Sequence, residues 1–134
     1  MPSISVIIST YNKPHFLEKV LTGYCFQTFN DFEIIIADDG SSNETKEMIA
    51  KFDQLLPQKI YHVWHEDNGF RKCKILNAAI LKSSNDYLVF SDGDCIPDSR
   101  FLETHSRVAQ KDYFLSGGHF PITEKVSNLL TLED

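Results

Sequence analysis

Short runs of β-branched and apolar residues, each followed by a longer stretch with helical spacing, constrain this chain more than any other feature. "ISVIIS" (4–9), "FEIIIAD" (32–38), "KIYHVWH" (59–65) and "DYLVFS" (86–91) read as strands, and "YFLSGG" (113–118) as a fifth. Helical patterns fill the gaps between them. In "PHFLEKVLTGYCFQ" (14–27), Leu17, Val20, Leu21 and Tyr24 recur along one face, and Pro14 occupies the first turn. "SSNETKEMIAKF" (41–52) opens with Ser41 and Glu44 at capping-box spacing. "NGFRKCKILNAAILKSS" (68–84) carries a stripe of Ile75, Leu76, Ala79 and Ile80, and "DSRFLETHSRVAQ" (98–110) reads as a further helix that Asp98 caps. The remainder, "HFPITEKVSNLLTLED", shows no period apart from one helical stretch near its end.

Near-continuous apolar strands alternating with helices predict an α/β fold. The expected form is a Rossmann-like, mostly parallel sheet with helices on both faces. At 134 residues and 42% hydrophobic, the chain fits one domain with a real core. A net charge of −6 argues against a nucleic-acid backbone as partner, because such binders need a basic face. Cys25, Cys73 and Cys95 are odd in number and widely spaced, which fits neither a disulfide framework nor a zinc site and points to a reducing compartment. "MPSISVIIST" lacks the charged start of a signal peptide, and no apolar stretch reaches the length of a membrane span. The expectation is a cytoplasmic protein.

In open parallel sheets, ligands sit outside the carboxyl ends of the strands. Here those ends are followed by "STYN" (9–12), "DDGSS" (38–42), "HEDNGFR" (65–71) and "SDGD" (91–94). Any one loop is polar because Ser, Asn, Asp and Gly suit turns and caps. Four in succession suggest a shared ligand. Ser9 and Thr10 offer hydroxyls, Tyr11 a ring able to stack on a base, and Asp39 an acceptor for a pyrimidine N–H or a ribose hydroxyl. Arg71 and Lys74, three apart near the predicted helix start, are suited to an anionic ligand. The histidines (His15, His62, His65, His105 and His119) are scattered and none is assigned a role; His119, which follows the fifth predicted strand, comes nearest to a place beside the site.

"SDGDCIPD" (91–98) concentrates the charge. An EF-hand loop would need an oxygen ligand and then glycine where Ile96 and Pro97 stand. An Asp-Gly turn accounts for Asp92 and Gly93 but not for Asp94. Two carboxylates this close need a positive partner, which a divalent metal bridging to phosphate oxygens supplies. Neither G-x-x-x-x-G-K nor G-x-G-x-x-G occurs, so the usual NTPase and dinucleotide loops are absent. Cys95 reads as a small filler beside the turn.

Taken in order, "SVIISTYNKPHFL", "QTFNDFEIIIADDGSS", "NGFRKCKILNAAI" and "YLVFSDGDCIPD" resemble the nucleotide-binding half of a family 2 glycosyltransferase with the GT-A fold. "DGD" is similar to that family's D-x-D metal motif. The resemblance implies that Ser9 and Tyr11 meet uracil, Tyr11 by stacking, and that Asp39 recognises the base edge or ribose. It implies Arg71 near the diphosphate, Asp92 near the ribose and metal shell, and Asp94 as direct metal ligand. The implied cofactor is Mn²⁺ or Mg²⁺. The implied donor is a nucleotide sugar, most often a UDP-sugar, transferred with inversion to a saccharide or lipid-linked acceptor. A lipid-linked acceptor leaves peripheral association with the inner face of a membrane open.

The family's catalytic base belongs to an acceptor-binding half well beyond the D-x-D motif. "TLED" (131–134) comes too early to be its Glu-Asp motif, so residues 1–134 are expected to form the donor-binding domain alone. Two other functions compete: a nucleotidyltransferase, which would be expected to carry a Gly-rich loop after the first strand, and a non-catalytic nucleotide-binding module.

Overall fold

The computed structural model describes residues 1–130, so "TLED" lies outside the described residues. Four parallel strands form the sheet: β1 (Ile4–Thr10), β2 (Phe32–Asp38), β3 (Ile60–Trp64) and β4 (Tyr87–Asp92), in the spatial order β3-β2-β1-β4. The helices are α1 (Pro14–Cys25), α2 (Asn43–Leu55), α3 (Lys72–Lys82), α4 (Phe101–Val108) and α5 (Glu124–Leu129).

Strand alternation sends successive side chains to opposite faces, and both faces here are apolar. Ile4, Val6 and Ile8 of β1 with Ile34 and Ile36 of β2 pack against Leu17, Val20 and Leu21 of α1 and against Met48, Ile49 and Phe52 of α2. On the other face Ile7, Ile35 and Ala37 meet Ile75 and Ala79 of α3. Two buried layers with helices on both sides are the arrangement expected from the strand pattern.

Chain order reverses at β1: β2 and β3 lie to one side of it and β4 to the other. That topological switch opens a crevice at the carboxyl ends of β1 and β4, where Ser9 stands in register with Asp92.

Several local expectations are corrected. No fifth strand forms at 113–118: Tyr113 and Phe114 are exposed, and no described strand lies beside them. A β-prone run becomes a strand only where a neighbouring strand and a buried face receive it. The capping box does not close either. Ser42, not Ser41, is the N-cap of α2, without a side-chain cap bond. The Ser41 hydroxyl instead accepts the amide of Asn12, and the Ser41 amide donates to buried Asp38. The helix expected at 68–84 begins only at Lys72, because residues 65–71 are drawn into contacts with neighbouring loops. The Asp98 carboxylate accepts the Arg100 amide just ahead of α4, which starts at Phe101.

Candidate functional site

The four polar loops border one cavity of about 560 Å³ at the carboxyl edge of the sheet, a size suited to a small organic ligand. Ser9, Thr10, Tyr11, Asp39, Asp92 and Asp94 all line it.

The turn after β4 is fixed by backbone bonds. The Gly93 amide donates to the Ser9 carbonyl at 2.8 Å, and the Cys95 amide to the Asp92 carbonyl at 3.1 Å. A side chain at 93 would put its Cβ 2.9 Å from the Ser9 carbonyl oxygen and 3.1 Å from the Thr10 hydroxyl, so glycine lets the two strand ends approach. Asp92 Oδ1 accepts from the Ser9 hydroxyl at 2.8 Å and from the Lys72 ammonium at 3.2 Å. The Ser9 bond foremost, followed by Lys72, outweighs partial burial and holds the Asp92 carboxyl below the usual carboxylate range. Asp94 is exposed beside it. The Asp92, Asp94 and Cys95 ligand atoms all lie within 4.8 Å of one another, so the turn can offer two hard oxygen donors and one thiol to a single cation. Cys95 was expected only to fill space; it stands within reach of the carboxylates.

The opposite wall is the β3–α3 loop, pinned to the loops after β1 and β2. His65 Nε2 meets Asp39 Oδ1 at 2.5 Å, and the Arg71 amide donates to Asp39 Oδ2 at 2.9 Å. Burial pushes Asp39 upward, but the bonds from His65 and Arg71 prevail and leave its carboxyl below the usual range. The Tyr11 hydroxyl donates to Asp67 Oδ2 at 2.7 Å, which raises the phenol's pKa and fixes the tilt of a half-exposed ring. Trp64 Nε1 donates to the Ser41 carbonyl at 3.0 Å. One position lower, buried Asp38 meets His62 Nε2 at 2.7 Å and ties β2 to β3 beneath the site.

Arg71 and Lys74 do not line the cavity. The Arg71 guanidinium folds back on its own loop and donates to the Glu66 carbonyl, while Lys74 is exposed. His119 is exposed as well and does not line the cavity. Among the described residues, the cations that do line it are Lys13 and Lys72, joined by the rings of Phe16 and Phe70. Lys72 carried a readable signal: Ile75 and Ala79 are buried, and stepping three residues back along that stripe gives Lys72. His65 and Asp67 carried none beyond their place after β3.

The family model described as Glycosyl transferase family 2 matches residues 5–132. Chondroitin synthase of Escherichia coli is 30% identical over 110 residues, which cover 81% of this chain and 16% of that protein. Glycosyltransferase AglE of Haloferax volcanii is 31% identical over 126 residues, 92% of this chain and 41% of that protein. The chain therefore spans well under half the length of these relatives. Among solved structures, S. aureus TarS 1-349 in complex with UDP-GlcNAc superposes with a TM-score of 0.66 at 24% identity, covering 78% of this chain and 30% of that one. Mannosyltransferase PcManGT from Pyrobaculum calidifontis, in complex with GDP-Man and Mn²⁺, gives 0.66 at 23% identity, covering 74% and 29%. These two likenesses show the fold, and it is of the expected GT-A type. With a family match that leaves out only a few residues at either end, the chain belongs to glycosyl transferase family 2.

Proposed function

We propose that this chain is the donor-binding domain of an inverting glycosyltransferase that takes a nucleotide sugar, a UDP-sugar foremost, and a divalent cation. The observation that carries the reading is the position of Asp92 and Asp94. They stand at the switch point of the sheet, in the same cavity as Tyr11 and Asp39. In this reading the Tyr11 ring stacks on the base and the fixed carboxylate of Asp39 accepts from the base edge or ribose. Ser9 holds Asp92 toward the ribose and the cation, and Thr10 shapes the turn beneath. Asp94, exposed and next to Asp92, is the direct ligand of Mn²⁺ or Mg²⁺. Two carboxylates fit a hard cation of this kind. When bound, the ion neutralises charge on the departing diphosphate. Arg71 contributes through its backbone, and Lys74 has no contact with the cavity.

Transfer also needs a base for the acceptor hydroxyl. We assign it, with the saccharide or lipid-linked acceptor site, to the greater part of the relatives' length that this chain does not span. Peripheral membrane association belongs to the same proposal; among the described residues no helix is long and apolar enough to cross a membrane.

A thermal-shift panel of UDP, GDP, dTDP and CDP, each with and without Mn²⁺, tests the reading. The expected result is Mn²⁺-dependent stabilisation by UDP that disappears in Asp94→Ala. Equal stabilisation by UDP without metal, or an Asp94→Ala protein that behaves as the parent, would reject the metal assignment. Stabilisation by GDP in place of UDP would reassign the donor.

A further inference from the structure

Lys72 sits where a lysine is electrostatically out of place. It is the first residue of α3, and the positive end of the helix dipole disfavours a cation there. Its side chain is 42% exposed, so packing does not hold it. What holds it is Asp92, whose Oδ1 also receives the Ser9 hydroxyl. A carboxylate oxygen has room for about two such donors, so this one is filled. Asp92 is also one of the three groups that converge as a cation site.

The charges lining the cavity show why this matters. Among the described residues that line it, four carboxylates (Asp39, Asp67, Asp92 and Asp94) face two ammonium groups (Lys13 and Lys72), an excess of two negative charges. A divalent cation would neutralise that excess and would compete with Lys72 for Asp92. A diphosphate would then restore negative charge, within the sweep of a long flexible side chain. We infer that Lys72 is an exchangeable counter-ion. In the free protein its ammonium occupies Asp92; when cation and nucleotide diphosphate bind, it leaves Asp92 and pairs with the diphosphate. This inference rests on the nucleotide-sugar reading. No bond is made or broken; one ion pair replaces another.

The exchange predicts effects of opposite sign from one substitution. Lys72→Met removes a competitor for Asp92, so Mn²⁺ alone should bind about two- to fivefold more tightly, the range expected of an exposed ion pair. With Mn²⁺ saturating, the same variant should bind UDP about tenfold more weakly, for want of one charge-assisted bond to phosphate. Lys72→Arg, which keeps the charge, should stay near the parent in both. Free Mn²⁺ is counted by electron paramagnetic resonance and UDP affinity by titration calorimetry, using the 134-residue chain. Unfolding temperatures show whether each variant is folded, and Lys72→Gln carries the same expectation if Lys72→Met is not. Mn²⁺ affinity that is unchanged or lowered overturns the exchange, as does unchanged UDP affinity. A parent that binds UDP with Mn²⁺ while Lys72→Met matches it removes the exchange alone. A parent that binds no UDP removes the nucleotide-sugar reading and this inference with it.

Discussion

His65 and Asp39 are joined across two loops, Nε2 to Oδ1 at 2.5 Å, while the Arg71 amide takes the other carboxylate oxygen. With both oxygens engaged, Asp39 has one orientation toward the cavity. His65→Ala should free it and weaken UDP binding about fivefold, the worth of one ordinary hydrogen bond. His65→Gln, which retains an amide donor, should lie between parent and alanine. Titration calorimetry at pH 7 checks both, and equal affinity in all three proteins would show that Asp39 needs no partner.

Tyr11 combines a ring and a hydroxyl with separable effects. Tyr11→Phe deletes the bond to Asp67 but keeps the stacking face, so UDP affinity should fall about two- to fivefold. Tyr11→Ala removes the face as well and should cost roughly 1–3 kcal/mol of binding, as base–aromatic stacking does elsewhere. Fluorescence titration with UDP and Mn²⁺ distinguishes them. A phenylalanine variant as weak as the alanine variant would place the whole effect in the hydroxyl.

Gly40 holds the two loops against each other. Its φ is +99°, and a Cβ there would lie 2.5 Å from the Asp67 Cα. Gly40→Ala combines an unfavourable backbone region with a collision against main chain, which cannot rotate away. A loss of about 3 kcal/mol in urea unfolding is expected. The displaced Asp67 should also loosen Tyr11, so UDP affinity should fall in the protein that remains folded.

Glu33 lies buried at the opposite end of the sheet, accepting from the Ser5 hydroxyl at 2.8 Å and from the amide and hydroxyl of Ser84, each at 2.7 Å. Burial would raise its pKa, but these bonds and Lys59 outweigh it and leave the carboxyl below its ordinary value. Its stabilising contribution is therefore complete above the unfolded value of about 4.3 and is lost as pH falls through the lower folded one. Glu33→Ala should cost about 2 kcal/mol at pH 7 by stranding the serine and amide donors. It should also flatten the fall in stability below about pH 4.3. Urea midpoints from pH 3 to 7 check this, and an acid limb unchanged from the parent would count against it.

β1 and β2 were legible because apolar side chains on both faces suit only the buried centre of a sheet, whereas β3 and β4 lie at its edges with Trp64 and Phe90 half-exposed. The helix faces were legible in the same way, and Leu17, Val20, Leu21 and Tyr24 are all buried. The start of α1 at Pro14 was legible too, but the starts of α2 and α3 were not, since they depend on which partners the first turn finds. Ser41 was taken by Asn12 and Asp38, and residues 65–71 by Tyr11 and Asp39.

By itself, then, the sequence determined the α/β class, the order of the elements and the fact that polar loops follow the strands. Periodicity and burial are local in the chain and can be read along it. Only the tertiary structure decided which groups in those loops face one another. The start of α3 at Lys72 turns that lysine to Asp92 and sends Lys74 to solvent, and the loop after β3 brings His65 to Asp39. These pairs join residues far apart in the chain through single hydrogen bonds, and their geometry follows from how the whole sheet closes.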